Sequence, residues 1–188
     1  MVAVTSQDLW VGVDPGKTGG IAILDSSGGY VAHSPIPLVG VGTKRARVDC
    51  RAIKEWWLEV TLKNRWHVRP SRITWAIERV SSAPTDGVVG AFSFGKATGA
   101  IFAFAETMGF AITEISPKDW QKVWLAGQRK NTRKDIKASA ALVAADRWPE
   151  LSSDLRLKKN WGLADAALIA ATARVVEMAG ADAVGGVA

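Results

Sequence analysis

Cysteine, histidine and tyrosine are nearly missing from this chain: its 188 residues hold one, two and one of them. The lone Cys50 rules out an internal disulfide and suits a reducing compartment, so a cytoplasmic setting is expected. With one thiol, His33 and His67 are too few for a structural zinc site. A metal in this chain is expected to be a hard cation held by oxygen. No uninterrupted apolar run reaches the roughly 18 residues of a membrane span. Residues 1–7 are too short and polar to read as a secretory signal. No internal repeat or linker divides the chain, so one domain is expected over 1–188, with loose ends at 1–7 and 180–188.

Apolar and basic residues are what the chain has in quantity. Hydrophobic residues make up 48%, enough for a full core. The net charge of +6 makes a polyanionic partner such as nucleic acid a fair expectation. Nine tryptophans are spread along the chain; most are expected in the core and a minority where they can stack on bases or sugars.

Leu9-Trp10-Val11-Gly12-Val13-Asp14 is an apolar run ending on one acid, followed by a Gly/Pro turn and a second apolar run, Ile21-Ala22-Ile23-Leu24. The pattern predicts a β-hairpin with Asp14 at the rim of its first strand. A carboxylate there suits a metal ligand, but Asp-Pro-Gly is also a common turn sequence, and on this stretch alone the two readings stand level. Gly16-Lys17-Thr18 is not a phosphate loop: Gly12 is one residue too close, and an apolar β-rich run follows instead of a helix.

A third strand is expected near 30–33, a loop over 34–44, and a helix over 46–62 with Val48, Ile53, Trp56, Trp57 and Val60 at helical spacing. A strand over 72–78 again ends on an acid, Glu78. The small polar loop after it, over 81–90, is a candidate substrate-contacting segment through Ser81 and Ser82. A helix over 91–108 is apolar on more than one side and has small residues Gly95, Gly99 and Ala103 at four-residue spacing. A fifth strand follows over 110–115, and Ser116-Pro117 opens a short helix reaching 127.

The strongest basic cluster, Gln128-Arg129-Lys130-Asn131-Thr132-Arg133-Lys134, opens a helix over 132–146. Side-chain charge and helix N–H donors together suit phosphate, so Arg129, Lys130, Arg133 and Lys134 are candidate DNA contacts. The last helix is expected over 161–179, with Asp165 on the apolar face of Leu168, Ile169 and Val176. An acid on a core-facing stripe is costly unless something satisfies it. Asp14, Glu78 and Asp165 therefore form a candidate constellation at one edge of a sheet. Close carboxylates stay ionised together only around cations. Oxygen ligands favour Mg²⁺ or Mn²⁺, and two such ions suit in-line displacement at a phosphodiester.

Four stretches resemble the RuvC-type Holliday junction resolvases of the RNase H-like superfamily, in particular their short phage and virus-type members. They are Gly12-Val13-Asp14-Pro15-Gly16, Ala76-Ile77-Glu78-Arg79-Val80, Ile115-Ser116-Pro117 and Leu163-Ala164-Asp165-Ala166-Ala167-Leu168-Ile169-Ala170, in the family's order. The resemblance implies an α/β, RNase H-like fold with a five-stranded mixed sheet of order 3-2-1-4-5 flanked by helices. It implies a homodimer, paired through residues 91–108, that nicks four-way or branched DNA symmetrically with divalent metal. It makes Asp14, Glu78 and Asp165 the metal ligands, with two ions expected, and puts Lys118, Lys122 or Lys134 near the scissile bond. Two positions depart from the family. Asn160-Trp161-Gly162 stands where a fourth acidic or histidine ligand is usual, leaving Asn160 as a weaker ligand or a helix cap, and Ser81 replaces a junction-opening aromatic. A catalytically silent branched-DNA-binding protein of the same fold is the competing expectation.

Overall fold

The computed structural model describes residues 8–43, 46–66, 69–79, 87–128 and 132–185, with side chains described as far as Gly180. Strands β1 (Leu9–Asp14), β2 (Gly20–Leu24) and β3 (Tyr30–Pro35) form an antiparallel meander. A two-stranded ribbon, β4 (Leu38–Val39) with β5 (Arg47–Val48), leads to α1 (Cys50–Lys63). Then come β6 (Ile73–Glu78), α2 (Val88–Thr107), β7 (Ala111–Ile115), α3 (Pro117–Trp124), α4 (Arg133–Arg147), the short α5 (Ser152–Leu155) and α6 (Trp161–Gly185). The main sheet has five strands in the order β3-β2-β1-β6-β7, with β6 and β7 parallel to β1. This is the expected order once the ribbon is counted.

The sheet buries both faces, and strand alternation divides its side chains between two cores. Leu9, Val11 and Val13 of β1, with Ile73, Trp75 and Ile77 of β6, face α1 and α2. Trp10 of β1 and Ala76 of β6 face α3, α4 and α6. Asp14 and Glu78 have the parity of Trp10 and Ala76, so both point to the α6 side. The parallel register Gly12↔Ala76 and Val13↔Ile77 puts them at the same end of neighbouring strands.

α6 presses onto that face through small residues. A Cβ built on Gly12 would stand 1.9 Å from the carbonyl oxygen of Ala166 and 2.5 Å from the amide nitrogen of Ala170. At the start of α6, Gly162 meets Gly19 in the turn after β1; a Cβ on Gly162 would stand 2.3 Å from Thr18 O. Asp165 is thereby brought to the Asp14 edge of the sheet.

Local signals set several helix starts. Asp49 caps α1 through Ala52 N at 3.1 Å, Ser116 caps α3 through Lys118 N at 3.1 Å, and Thr132 with Asp135 makes a capping box for α4. Other boundaries differ from the expectation. Arg47 and Val48 pair with β4 instead of opening α1, because the Asp49 cap starts that helix at Cys50. α2 begins at Val88, inside the stretch read as loop, and α6 continues to Gly185. Residues 163–173 of α6 are buried on every side, between the sheet and α4, so the helix core is a cylinder and not a stripe. Val176, read as part of the buried face, is exposed because it lies beyond that covered half.

All nine tryptophans are buried or half-buried, so none is a freely exposed stacking platform. Trp57, Trp75, Phe104 and Phe110 form one aromatic cluster, with the Trp75 and Phe110 rings stacked at 5.5 Å. α2 is the other surprise. It is long and apolar enough to cross a membrane by length and composition, although Ser93, Lys96 and Thr98 interrupt its apolar residues. Ala97, Ile101, Phe104 and Ala105 bury one face of α2, while Val88, Val89 and Phe92 are exposed and Gly95 and Gly99 border open space.

The Gly12 contact is backbone against backbone and cannot be relieved by a rotamer change. Gly12→Ala is expected to cost at least about 3 kcal/mol. Thermal melting of the variant checks this; a midpoint within a degree or two of the parent would contradict the close approach.

Candidate active site

The structure brings Asp14, Glu78 and Asp165 together at the end of β1, the end of β6 and the first turns of α6. Asp14 and Asp165 are buried, and Glu78 is half-buried. Asp14 Oδ1 accepts a hydrogen bond from Gly16 N at 3.2 Å, which ties the acid to its own turn. That bond is the one expected of Asp14 as the shaper of its turn. Glu78 Oε1 accepts from Trp120 Nε1 at 2.9 Å, so the fully buried indole of α3 fixes the position of that carboxylate.

The cation at this site is Lys137. Its Nζ donates to Asp14 Oδ2 at 2.9 Å and also to Asp165 Oδ2. Lys137 rides on α4, whose buried Ala140, Ala141 and Ala144 pack against α6. Lys118, Lys122 and Lys134, the lysines expected near the reacting bond, are all exposed. The sequence carried a signal for Lys137: it lies three, four and seven residues before Ala140, Ala141 and Ala144, on the same apolar stripe. A lysine there raises the same question as an acid on the buried face of α6.

Electrostatics follow from burial and crowding. Burial raises the Glu78 pKa and the neighbouring Asp14 charge adds to it, while the Trp120 hydrogen bond, Lys137 and Arg133 pull it back. Burial also pushes Asp165 up to about 7, against the pull of Lys137, with Asp14 and Glu78 adding to the rise. For Lys137 burial works downward, but the charges of Asp165 and Asp14 outweigh it and hold the ammonium protonated. Among the described residues Lys137 is the cation bonded to the acids, and Arg133 acts on Glu78 as well.

Arg133, at the start of α4, is close enough to help hold down the Glu78 pKa. Asn160 lies in a 3-10 turn before α6 and donates its Nδ2 to Asp154 O at 3.0 Å. Ser81, Ser82, Arg129 and Lys130 lie outside the described residues.

Among the described residues Asp165 Oδ1 is buried without a hydrogen-bond partner. A carboxylate oxygen left bare beside other carboxylates fits a hard cation such as Mg²⁺ or Mn²⁺. As they stand, no three acidic, histidine or cysteine groups among the described residues are placed to enclose an ion. The donor set thus has the chemistry for a cation, with two of its acids gathered around Lys137.

The raised Asp165 pKa gives a signed prediction. An acid that ionises less readily when folded than when unfolded loses stability as pH rises from its unfolded value towards its folded one. Asp165→Asn in metal-free protein is expected to raise the melting temperature, with a gain near zero at pH 4 that grows to several degrees by pH 8. Parallel melting curves of the two proteins check this, and a gain that shrinks with pH would contradict it.

No protein-family model matches the chain, and no curated protein matches it. Solved structures do. The structure of T. thermophilus RuvC in complex with Holliday junction substrate is similar with a TM-score of 0.53 at 18% identity, covering 90% of this chain and 96% of that one. A Thermus thermophilus RuvC structure is similar with a TM-score of 0.46 at 21% identity, covering 91% and 96%. At 18% identity the likeness to the junction-bound structure is one of overall fold.

Proposed function

We propose that the chain is a divalent-metal-dependent endonuclease of RNase H-like fold, of the phage or virus type, that acts on four-way or branched DNA as a cytoplasmic enzyme. The observation that carries this reading is the meeting of Asp14, Glu78 and Asp165 at one end of the sheet, from positions far apart in sequence. Asp14 and Asp165 offer buried oxygens, and Glu78 is aimed by Trp120. When bound, Mg²⁺ or Mn²⁺ would stabilise the negative charge that builds on a phosphodiester during hydrolysis. Arg133 and the N-terminus of α4, with Lys134 beside it, are set to receive the phosphate backbone.

The same reading makes α2 the pairing helix of a homodimer. Its open glycines allow a second helix to approach closely, and Val88 and Phe92 would be covered by it. Symmetric nicking of two strands needs two such sites. A second reading is favoured by one observation: two of the acids already hold an ammonium, and no described cluster is arranged to enclose a metal. On that reading the chain binds branched DNA without cutting it.

One experiment separates the two. With Mn²⁺ or Mg²⁺, purified protein is expected to nick a synthetic four-way junction, and Asp14→Asn is expected to lower nicking at least a thousandfold while junction binding persists. Binding without nicking in either metal would select the silent reading, and equal nicking of linear duplex would remove the junction claim. Neutralising Arg129, Lys130, Arg133 and Lys134 together should make the negative slope of log K against log salt shallower by about 3.6, about 0.9 for each of four phosphates no longer neutralised. An unchanged slope, measured by fluorescence anisotropy, would retire the segment as a phosphate-binding one.

A further inference from the structure

We infer that Lys137 is a resident cation that takes the place of one of two divalent ions, so that each chain loads a single ion. The inference rests on the metal-dependent reading above and specifies its stoichiometry.

The geometry is that of a bridge. Lys137 Nζ joins one oxygen of Asp14 on β1 to one oxygen of Asp165 on α6, the strand and the helix that an ion between these two acids would also have to join. The lysine is not a surface side chain that happens to reach inward. Its side chain is about three-quarters buried, being 27% exposed, and its helix is anchored one turn later by Ala140, Ala141 and Ala144. An ammonium bound at both oxygens competes directly with any ion for them.

Charge and free oxygens agree with one ion and not two. Once an ion is bound and all three acids are ionised, their charges against the one ammonium leave two negative charges, which one divalent cation balances. Among the described residues Asp165 Oδ1 is buried and unpartnered, and Glu78 has one oxygen taken by Trp120. A second divalent ion would need the two oxygens that Lys137 holds. Asn160, the other side chain considered as a ligand, is neutral and directs its amide nitrogen to Asp154 O.

The device also has a consequence for assembly. Asp14 and Asp165 are pressed together by the Gly12 contact whether or not metal is present, and Lys137 keeps that pair tolerable in metal-free protein.

The test counts ions on full-length protein by titration with Mn²⁺ alone, reading free Mn²⁺ by electron paramagnetic resonance, alongside melting curves. The parent is expected to bind one Mn²⁺ per chain. Lys137→Met is expected to bind two, with total uptake half-saturating at least tenfold lower Mn²⁺, and to gain a larger melting shift from Mn²⁺ than the parent. Lys137→Arg, which keeps the charge, is expected to bind one. Two ions on the parent would overturn the inference whatever the variants do, as would a Lys137→Met protein that still binds one ion with parental affinity. A Lys137→Met protein that stays unfolded even with Mn²⁺ would also overturn it, because an ion should replace the ammonium. If the parent nicks junctions with two ions bound, only this inference falls. If it binds none and nicks nothing, the nuclease reading falls with it.

Discussion

Backbone contact between β1 and α6 is the constraint on which the rest of the molecule hangs. At Gly12 there is no room for even one carbon between strand and helix, and Gly19 with Gly162 repeats the arrangement at the helix start. Helices usually stand off a sheet by the thickness of two side-chain layers. Here alanines and glycines remove one layer: Ala164, Ala166, Ala167 and Ala170 line the buried half of α6. The gain is close packing and dispersion over a long seam. The consequence is that acids on the strand tip and on the helix cannot avoid one another.

That enforced proximity explains the electrostatics of the cluster. Buried like charges at this spacing do not stay ionised unaided, and three separate devices act on them. Gly16 N bonds Asp14, Trp120 bonds Glu78, and Lys137 bonds Asp14 and Asp165 together. Each device comes from a different element: the turn after β1, α3 and α4. The two helices α3 and α4, between β7 and α6, are thus more than connections. Each supplies one donor side chain to the site, Trp120 and Lys137, and Ser116 and Thr132 cap their N-termini.

Much of this was legible in the residues because local rules and global fold agree. Leu9–Asp14 and Ile73–Glu78 read as apolar runs that end on an acid, which puts both acids at strand ends, and Ser116-Pro117 marks the start of α3. Asp165 stood out because a carboxylate among alanines needs a partner. The partner itself was missed. Lys137 follows Arg133 and Lys134, which are exposed, and its place on the stripe of Ala140, Ala141 and Ala144 is marked only by small alanines, a weaker signal than the large apolar residues around Asp165. The β4–β5 ribbon was hidden for a similar reason: Val48 fits the helical spacing of Ile53 and Val60, but the Asp49 cap overrides it. The open side of α2 was half-visible, since apolar and small residues were evident while the side facing the sheet was not.

The covered half of α6 has a dynamic corollary. Amides in its Leu163–Ala173 stretch lie within the core between the sheet and α4, so their hydrogen exchange requires the opening of that core and is not set by fraying. Asp165 sits inside that stretch. The carboxylate therefore belongs to the slowest-opening part of the molecule, unlike functional groups carried on loops, and local breathing cannot carry it away from its neighbours.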